Sequence, residues 1–216
     1  MRLTWCSTLV IFGLAAFVPT SMGYEWQPGT TVFEYRMPSR DGAERKHGVT
    51  IIGKPGIYVA QSKDTLLDIA RLHHLGYHEI VHANPEVDPW LPGAGSLITI
   101  PTQWILPDGP KEGLVLNIAE MRLYHYLPNS RVMTFPLGVS VDGQETPAGK
   151  YRIGQKRTDP VWYVPISIQQ EMEYPRKVVP PGPSNPLGEY WMRLSTTTYG
   201  IHGTNNPWAI GRRVTH

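Results

Sequence analysis

Residues 114–126, Leu-Val-Leu-Asn-Ile-Ala-Glu-Met-Arg-Leu-Tyr-His-Tyr, decide the fold class of this chain. Apolar and polar side chains alternate over Leu114–Ile118 and again over Arg122–Tyr126. This alternation is typical of strands that bury one face and expose the other. The two stretches therefore predict two half-buried strands.

The sequence after residue 126 continues this pattern. Further strands are predicted over Arg131–Val139, Gly149–Gly154, Trp162–Ile168, Tyr190–Leu194 and Thr197–Ile201, with turns rich in Gly and Pro between them. The 216 residues include 21 Gly and 21 Pro, and because Pro breaks helices a long helical bundle is excluded. We expect a mainly β fold in which residues 113–216 form an antiparallel β-sandwich, with a barrel as the alternative.

Residues 57–101 predict a different, smaller unit of the type βααβ. Its elements are expected at Ile57–Ala60, Leu66–His73, about His78–Ala83 and Leu97–Ile100. Thr65, with Asp64, can cap the first helix, and Pro85 ends the second. Residues 24–56 are predicted to be an extension with short strands at Thr31–Tyr35 and Val49–Ile52, and residues 102–112 a linker.

The first 23 residues are predicted to be a secretory signal peptide. Arg2 supplies the positive charge, the apolar run Leu9–Val18 is short for a bilayer span, and small residues precede a cleavage site between Gly23 and Tyr24. We expect export to the periplasm and no stable membrane span after cleavage. An uncleaved anchor is the alternative.

Composition narrows the function classes. A net charge of +2 without an extended basic cluster argues against nucleic-acid binding. The single cysteine, Cys6, excludes a disulfide framework and a multi-cysteine zinc site within one chain. We expect no cofactor.

One motif points to a metal. Residues 78–82, His-Glu-Ile-Val-His, match HExxH, which on a helix places two imidazoles on one face with the glutamate as a general base. Pro85 ends this helix soon afterwards, and no third ligand is evident. We therefore predict no metal site and interpret the motif as a solvated helix face, with a zinc metalloprotease using His78, Glu79 and His82 as the alternative.

A second candidate is His202, which lies in Gly-Ile-His-Gly-Thr-Asn-Asn over residues 200–206, at the end of a predicted strand. There an imidazole can reach solvent and act as a base. Strand-end histidines are also often merely hydrogen-bonded, so the motif alone leaves both interpretations open.

Residues 57–101 resemble a LysM module, the small βααβ unit that binds the glycan chains of peptidoglycan. The matching residues are Tyr58-Val59, Asp64-Thr65-Leu66, Ile69-Ala70, Ile80, Ala83-Asn84-Pro85, Leu91-Pro92-Gly93 and Ile98-Thr99-Ile100-Pro101. Lys63 stands where the family commonly has Gly. The resemblance implies glycan binding, and it assigns the HExxH match to a helix that needs no metal.

Residues 113–216 are similar to the catalytic domain of L,D-transpeptidases, the YkuD-type domain. The resemblance rests on residues 113–117 with 121–124, the TPxG turn in 146–151, the NPxG turn in 185–188, the HGT segment in 201–205, and residues 213–216, which resemble the lead-in to the [S/T]HGC signature. It implies that a cysteine thiolate attacks the carbonyl of a tetrapeptide stem after its third residue and expels D-alanine. An amine then captures the acyl-enzyme.

The resemblance also implies residue roles. His202 would be the general base that activates the thiol, and His216 would shape the site two residues before the nucleophile. Substrate-binding roles would fall to Gly203, Thr204, Arg212 and Arg213. For the two arginines, solvated loop charges are the alternative interpretation.

The Gly-Cys of the signature would follow His216, where this sequence ends, and Cys6 lies in the predicted signal peptide. We therefore expect the 216-residue chain to be a truncated copy that lacks its nucleophile and is inactive as it stands. The implied partners are peptidoglycan stem peptides and glycan strands, with an outer-membrane lipoprotein as one acceptor that the resemblance allows. A non-catalytic peptidoglycan-binding protein is the alternative.

Overall fold

The computed structural model describes residues 31–36, 51–143, 147–171, 176–194 and 199–215. The first elements in chain order are β1 (Phe33–Glu34), β2 (Ile51–Gly53), β3 (Gly56–Val59), α1 (Leu66–Leu72), α2 (Tyr77–Ala83), β4 (Leu97–Ile100) and β5 (Gln103–Ile105). They are followed by β6 (Gly113–Asn117), β7 (Arg122–Leu127), β8 (Arg131–Pro136), β9 (Val139–Ser140), β10 (Ile153–Thr158), β11 (Trp162–Tyr163), α3 (Ile166–Glu171), β12 (Val178–Val179), β13 (Tyr190–Leu194), β14 (Gly200–His202), a 3-10 turn (Pro207–Ala209) and β15 (Arg213–Thr215). The predicted signal peptide and His216 lie outside these residues.

The fold is mainly β with antiparallel sheets, as the sequence predicted. The largest sheet has the strand order β1-β8-β7-β6, and its β6–β7 hairpin pairs Leu116 with Leu123. A second sheet has the order β10-β13-β14. One further pair, β9 with β15, is parallel, which the sequence did not predict. Within the described ranges, no helix is both long and apolar enough to cross a bilayer.

The βααβ unit has the predicted order of elements and a core of its own. Strands β3 and β4 pair antiparallel, and the Thr65 hydroxyl caps α1 by accepting from the Asp68 N–H at 3.1 Å. The buried core consists of Ala60, Leu66, Ile69, Ala70, Leu75, Ile80, Ile98 and Ile100. Asn84, also buried, ends α2 and donates to the carbonyls of Ile80 and Thr99 at 2.8 and 2.9 Å, so it ties the helix to β4.

The position of β10 differs from the prediction. The sequence predicts a strand over Gly149–Gly154, whereas β10 begins at Ile153 and ends at Thr158. All six residues of β10 are exposed. A strand with two exposed faces has no apolar alternation, so the pattern that located the other strands was absent here.

The predicted strand Trp162–Ile168 is also wrong in its second half. Strand β11 ends at Tyr163, and helix α3 begins at Ile166. Pro165 directly precedes the helix, and its carbonyl accepts from the Gln169 N–H at 3.0 Å as the first turn closes. The β-branched Ile166 favours a strand locally, but Pro165 lacks the N–H that a strand ladder requires, so strand pairing does not continue into this segment.

A buried ion pair joins the βααβ unit to the largest sheet. Arg122, the first residue of β7, is fully buried, and its Nη1 lies 3.5 Å from Oε2 of Glu79 in α2. Its Nη2 donates to the His74 carbonyl at 2.9 Å, and its guanidinium lies 4.0 Å from the centre of the Trp104 ring. Glu79 in turn accepts from the Gly76 N–H at 2.6 Å and from Trp104 Nε1 at 2.9 Å. Burial lowers the pKa of Arg122, and the charge of Glu79 opposes that shift.

We predict that Glu79→Ala lowers the free energy of unfolding by about 3–5 kcal/mol, because it leaves the buried Arg122 without its counter-charge. The measurement is urea denaturation of the 216-residue chain. Glu86→Ala is the matched control, since Glu86 lies in the same unit but is exposed, and its loss should stay within about 0.5 kcal/mol. Similar losses for the two variants would contradict the structural role of the pair.

Candidate active site

His202 ends β14 and is exposed, with its backbone paired to Trp191 of β13. Its Nδ1 lies 2.6 Å from the carbonyl oxygen of Gly203. Because a carbonyl can only accept, Nδ1 is the donor in this contact. Nε2 is therefore the ring nitrogen left for a proton transfer with another group.

The loop after His202 packs on the NPxG turn. The Gly203 N–H donates to the Tyr190 carbonyl at 2.9 Å. Gly188 has a φ of +62°, and a Cβ there would lie 2.6 Å from the Thr204 nitrogen. No side chain fits between these two backbone segments, so the glycine of the turn fixes where the loop beside His202 can lie.

The side chain of Asn185 anchors the NPxG turn through hydrogen bonds to backbone groups. It is fully buried, and its Nδ2 donates to the carbonyls of Pro160 and Pro180 at 2.7 and 3.2 Å. Its Oδ1 accepts from the Leu187 N–H at 2.9 Å. A residue with both amide donors and an acceptor satisfies these backbone groups at once, which explains why the turn needs asparagine.

Gly203 and Thr204 lie directly beside His202, and the Thr204 hydroxyl accepts from the Asn206 N–H at 2.9 Å. Asn205 Nδ2 also donates to the Ser184 carbonyl at 3.2 Å, which ties the loop to the residue before the turn. The structure thus brings the HGT and NPxG segments together. The substrate-binding roles of Gly203 and Thr204 stay predictions.

Arg212 and Arg213 belong to a different sheet region from His202. Arg212 precedes β15, and its guanidinium lies 3.5 Å from the centre of the Tyr77 ring. Arg213 Nε lies 3.4 Å from Asp142 Oδ1, and its Nη1 lies 3.4 Å from the Ser140 carbonyl. Both guanidinium groups thus have partners within the protein, and their predicted contact with substrate stays a prediction, as does the role of His216.

The strand that leads to His216 is fixed on two sides. On one side, the Val139 N–H donates to the Arg212 carbonyl at 3.1 Å, and β9 pairs with β15. On the other side, the N-terminus of α2 approaches closely: the Tyr77 N–H donates to the Ile210 carbonyl at 2.9 Å, and a Cβ on Gly76 would lie 2.7 Å from the Gly211 Cα. The βααβ unit is therefore in direct backbone contact with Ile210 and Gly211, the residues that lead into this strand.

The HExxH residues span most of α2, from His78 near its N-terminus to His82 in its last turn. The rings of His78 and His82 are 5.4 Å apart, and partial burial lowers the pKa of His78, with His82 and Arg212 lowering it further. Both carboxylate oxygens of Glu79 are engaged in the contacts around Arg122. Among the described residues, no group of three or more His, Cys, Asp or Glu side chains is placed to hold a metal ion.

The sequence analysis missed two residues aligned with His202. Arg157 of β10 pairs with Trp191 of β13, and Trp191 pairs with His202. The three residues form one row across the sheet. The signal that could have found them is strand alternation, but β10 lacks it because all of its residues are exposed.

The fold and site define a mainly β domain that presents an exposed histidine at a strand end, and comparison with known proteins gives its family. Residues 111–216 match the family model described as the L,D-transpeptidase catalytic domain, YkuD. The chain is 39% identical over 178 residues to the probable L,D-transpeptidase YcfS of Escherichia coli K12, covering 77% of this chain and 55% of that protein. It is 37% identical over 175 residues to the probable L,D-transpeptidase ErfK/SrfK of Salmonella typhimurium, covering 77% and 56%. It is 27% identical over 159 residues to the putative L,D-transpeptidase YkuD of Bacillus subtilis, covering 73% and 80%.

Residues 111–216 belong to the L,D-transpeptidase catalytic-domain family, as the sequence motifs predicted. It spans about half the length of the first two relatives.

We predict that Gly188→Ala displaces the loop beside His202, because its Cβ would collide with the Thr204 backbone. The measurement combines a thermal melt with the NMR signals of the His202 ring. Gly113→Ala is the matched control, because Gly113 has nearly the same φ of +61° but no atom within 4 Å of an added Cβ. Both variants pay about 1–2 kcal/mol for the positive φ angle.

Only Gly188→Ala should shift the His202 ring signals. Its melting temperature should also fall below that of Gly113→Ala, by about 2–4 °C for each kcal/mol of unfolding free energy that the collision costs. Unchanged His202 signals in Gly188→Ala would contradict the contact.

Proposed function

We propose that this protein is a peptidoglycan L,D-transpeptidase, an acyltransferase that acts on tetrapeptide stems through a cysteine thioester. Family membership supports the reaction class. The single observation that carries the proposal is the state of His202: an exposed strand-end imidazole whose Nδ1 is occupied by the Gly203 carbonyl and whose Nε2 is left to accept a proton.

The reaction needs a base at that position. His202 Nε2 would take the proton of the cysteine thiol, and the thiolate would attack the stem carbonyl. As the C–N bond to D-alanine breaks, the imidazolium would return the proton to the leaving amine. An acceptor amine would then attack the thioester, give its proton to His202 and release the thiolate.

The supports described above would hold the reacting groups in place. Asn185 and Gly188 fix the loop of His202, while β9 and the α2 N-terminus fix β15, which leads towards the position of the family's nucleophile after His216. General acid–base catalysis depends on hydrogen-bond reach between base and nucleophile, so rigid supports on both sides serve the chemistry.

We further propose that the βααβ unit is a LysM module that holds glycan strands near this site. Its order of elements and the Asn84 contacts between α2 and β4 support this assignment. The predicted signal peptide supports export to the periplasm, where stem peptides, and an outer-membrane lipoprotein as one acceptor, would be met.

The test uses the product of the native gene, read through the codons that follow His216, together with the 216-residue chain. Each is incubated with disaccharide-tetrapeptide, and D-alanine release and crosslinked products are followed by mass spectrometry. We expect release only from a product that contains a cysteine after His216. His202→Ala should reduce the rate by a factor of about 10²–10⁴.

His82→Ala is the control, since His82 is an exposed histidine on α2 and its loss should leave the rate unchanged. D-alanine release by the 216-residue chain itself would contradict a cysteine nucleophile after His216. Binding of stem peptides without release by any product would favour a non-catalytic peptidoglycan-binding protein.

A further inference from the structure

Three side chains form a row on one face of the sheet that contains the candidate base. In antiparallel strands, directly opposed residues place their side chains on the same face. Arg157 opposes Trp191, and Trp191 opposes His202, so all three project to one side. With neighbouring strands about 4.8 Å apart, the Arg157 and His202 backbones are about 10 Å apart.

This face is the open side of the sheet. The opposite face carries Met192, Leu194 and Ile201, of which Leu194 is buried and the other two are partly buried. On the open face, by contrast, Arg157 and His202 are exposed and Trp191 is only partly buried. A ligand approaching His202 therefore meets the indole and the guanidinium of the same row.

The indole of Trp191 packs directly over Gly200. An added Cβ on Gly200 would lie 2.6 Å from the indole nitrogen, so only glycine leaves room for the ring there. The Arg157 guanidinium lies 5.8 Å from the centre of the indole, and its Nη2 donates to Gln155 Oε1 at 3.1 Å. The row thus consists of a flat apolar platform with a cation at one end and the base at the other.

We infer that Arg157 and Trp191 form a substrate subsite that binds a carboxylate of the donor stem peptide. The inference rests on the proposed function. A guanidinium binds a carboxylate through two parallel hydrogen bonds, and an indole face packs against the aliphatic parts of a peptide. The separation of about 10 Å corresponds to about three residues of extended chain, so a stem whose reacting carbonyl lies at His202 can reach Arg157.

Arg157 is better placed for this task than Arg212 or Arg213. Those two arginines are engaged with Tyr77 and Asp142, and within the described ranges β15, which begins at Arg213, pairs with β9 and not with the strands of the His202 sheet. Through the Arg157 guanidinium, the subsite would select anionic stems over neutral ones.

The experiment measures binding, so it needs no nucleophile. The probe is a tetrapeptide stem with free carboxylates, and its affinity for the 216-residue chain is measured by calorimetry and Trp fluorescence. We expect Arg157→Gln to weaken binding about tenfold, the usual scale for a lost charge-assisted hydrogen bond. Lys156→Gln is the matched control: it removes the same charge from the next residue of β10, which opposes Met192 and faces the other side.

Two further measurements separate recognition from general charge. The wild-type chain should bind the free acid about tenfold more tightly than the fully amidated peptide, and Arg157→Gln should bind both alike. Arg157→Lys should recover only part of the affinity, because an ammonium keeps the charge but not the planar pair of donors. Thermal melts confirm that each variant folds.

Equal losses in the Arg157 and Lys156 variants, or equal binding of acid and amide by the wild-type chain, would overturn the subsite and leave the proposed function standing. Failure of the wild-type chain to bind any stem peptide would also overturn the subsite, whereas the proposed function is overturned only by the absence of D-alanine release from the cysteine-containing product.

Discussion

The structure depends on one buried contact, the pair formed by Arg122 and Glu79. A fully buried guanidinium needs a counter-charge and hydrogen-bond partners. Here Glu79 and the His74 carbonyl, from a different part of the chain, supply them to the two Nη atoms, while Nε has no hydrogen-bond partner among the described residues. Glu79 also accepts from the Gly76 N–H, so the same carboxylate sets the N-terminus of α2. Because Gly76 touches Gly211, the path of β15 follows from the placement of this pair.

The contact between Arg122 and Glu79 gives the glutamate of the HExxH motif a structural role, whereas the spacing of the motif suggests a zinc site. A zinc-type glutamate must present its carboxylate to a metal-bound water, whereas Glu79 gives one oxygen to Trp104 Nε1 and the other to Gly76 and Arg122. Arg122 lies 43 residues further along the chain, so no local pattern could reveal this partner. The spacing of His78 and His82 is simply that of two residues on one helix face.

The sequence located an element correctly where a local pattern, such as a helix cap or strand alternation, was strong. The Thr65 cap predicted α1, and the alternation around residues 114–126 located β6 and β7 almost to the residue. The exposed face predicted for the second strand is wrong, because no residue of β7 is exposed and Arg122 and Tyr124 are as buried as Leu123. The predicted position of β10 was wrong because none of its residues is buried and the strand therefore shows no apolar alternation. For that reason Arg157 was not identified as a residue in line with His202. The HGT and NPxG motifs were readable separately, but the contact between Gly188 and Thr204 is a tertiary one that only the fold discloses.

The candidate site draws its two halves from separate sheets. His202 belongs to the sheet of β10, β13 and β14, while the strand towards the expected nucleophile pairs with β9. No ladder between these two sheets sets their spacing in the described residues, so each half depends on its own anchor: the Asn185 turn for His202, and β9 with the α2 N-terminus for β15. Proton transfer tolerates little displacement between base and nucleophile. The βααβ unit thus has a structural task at the site that is independent of any glycan it binds.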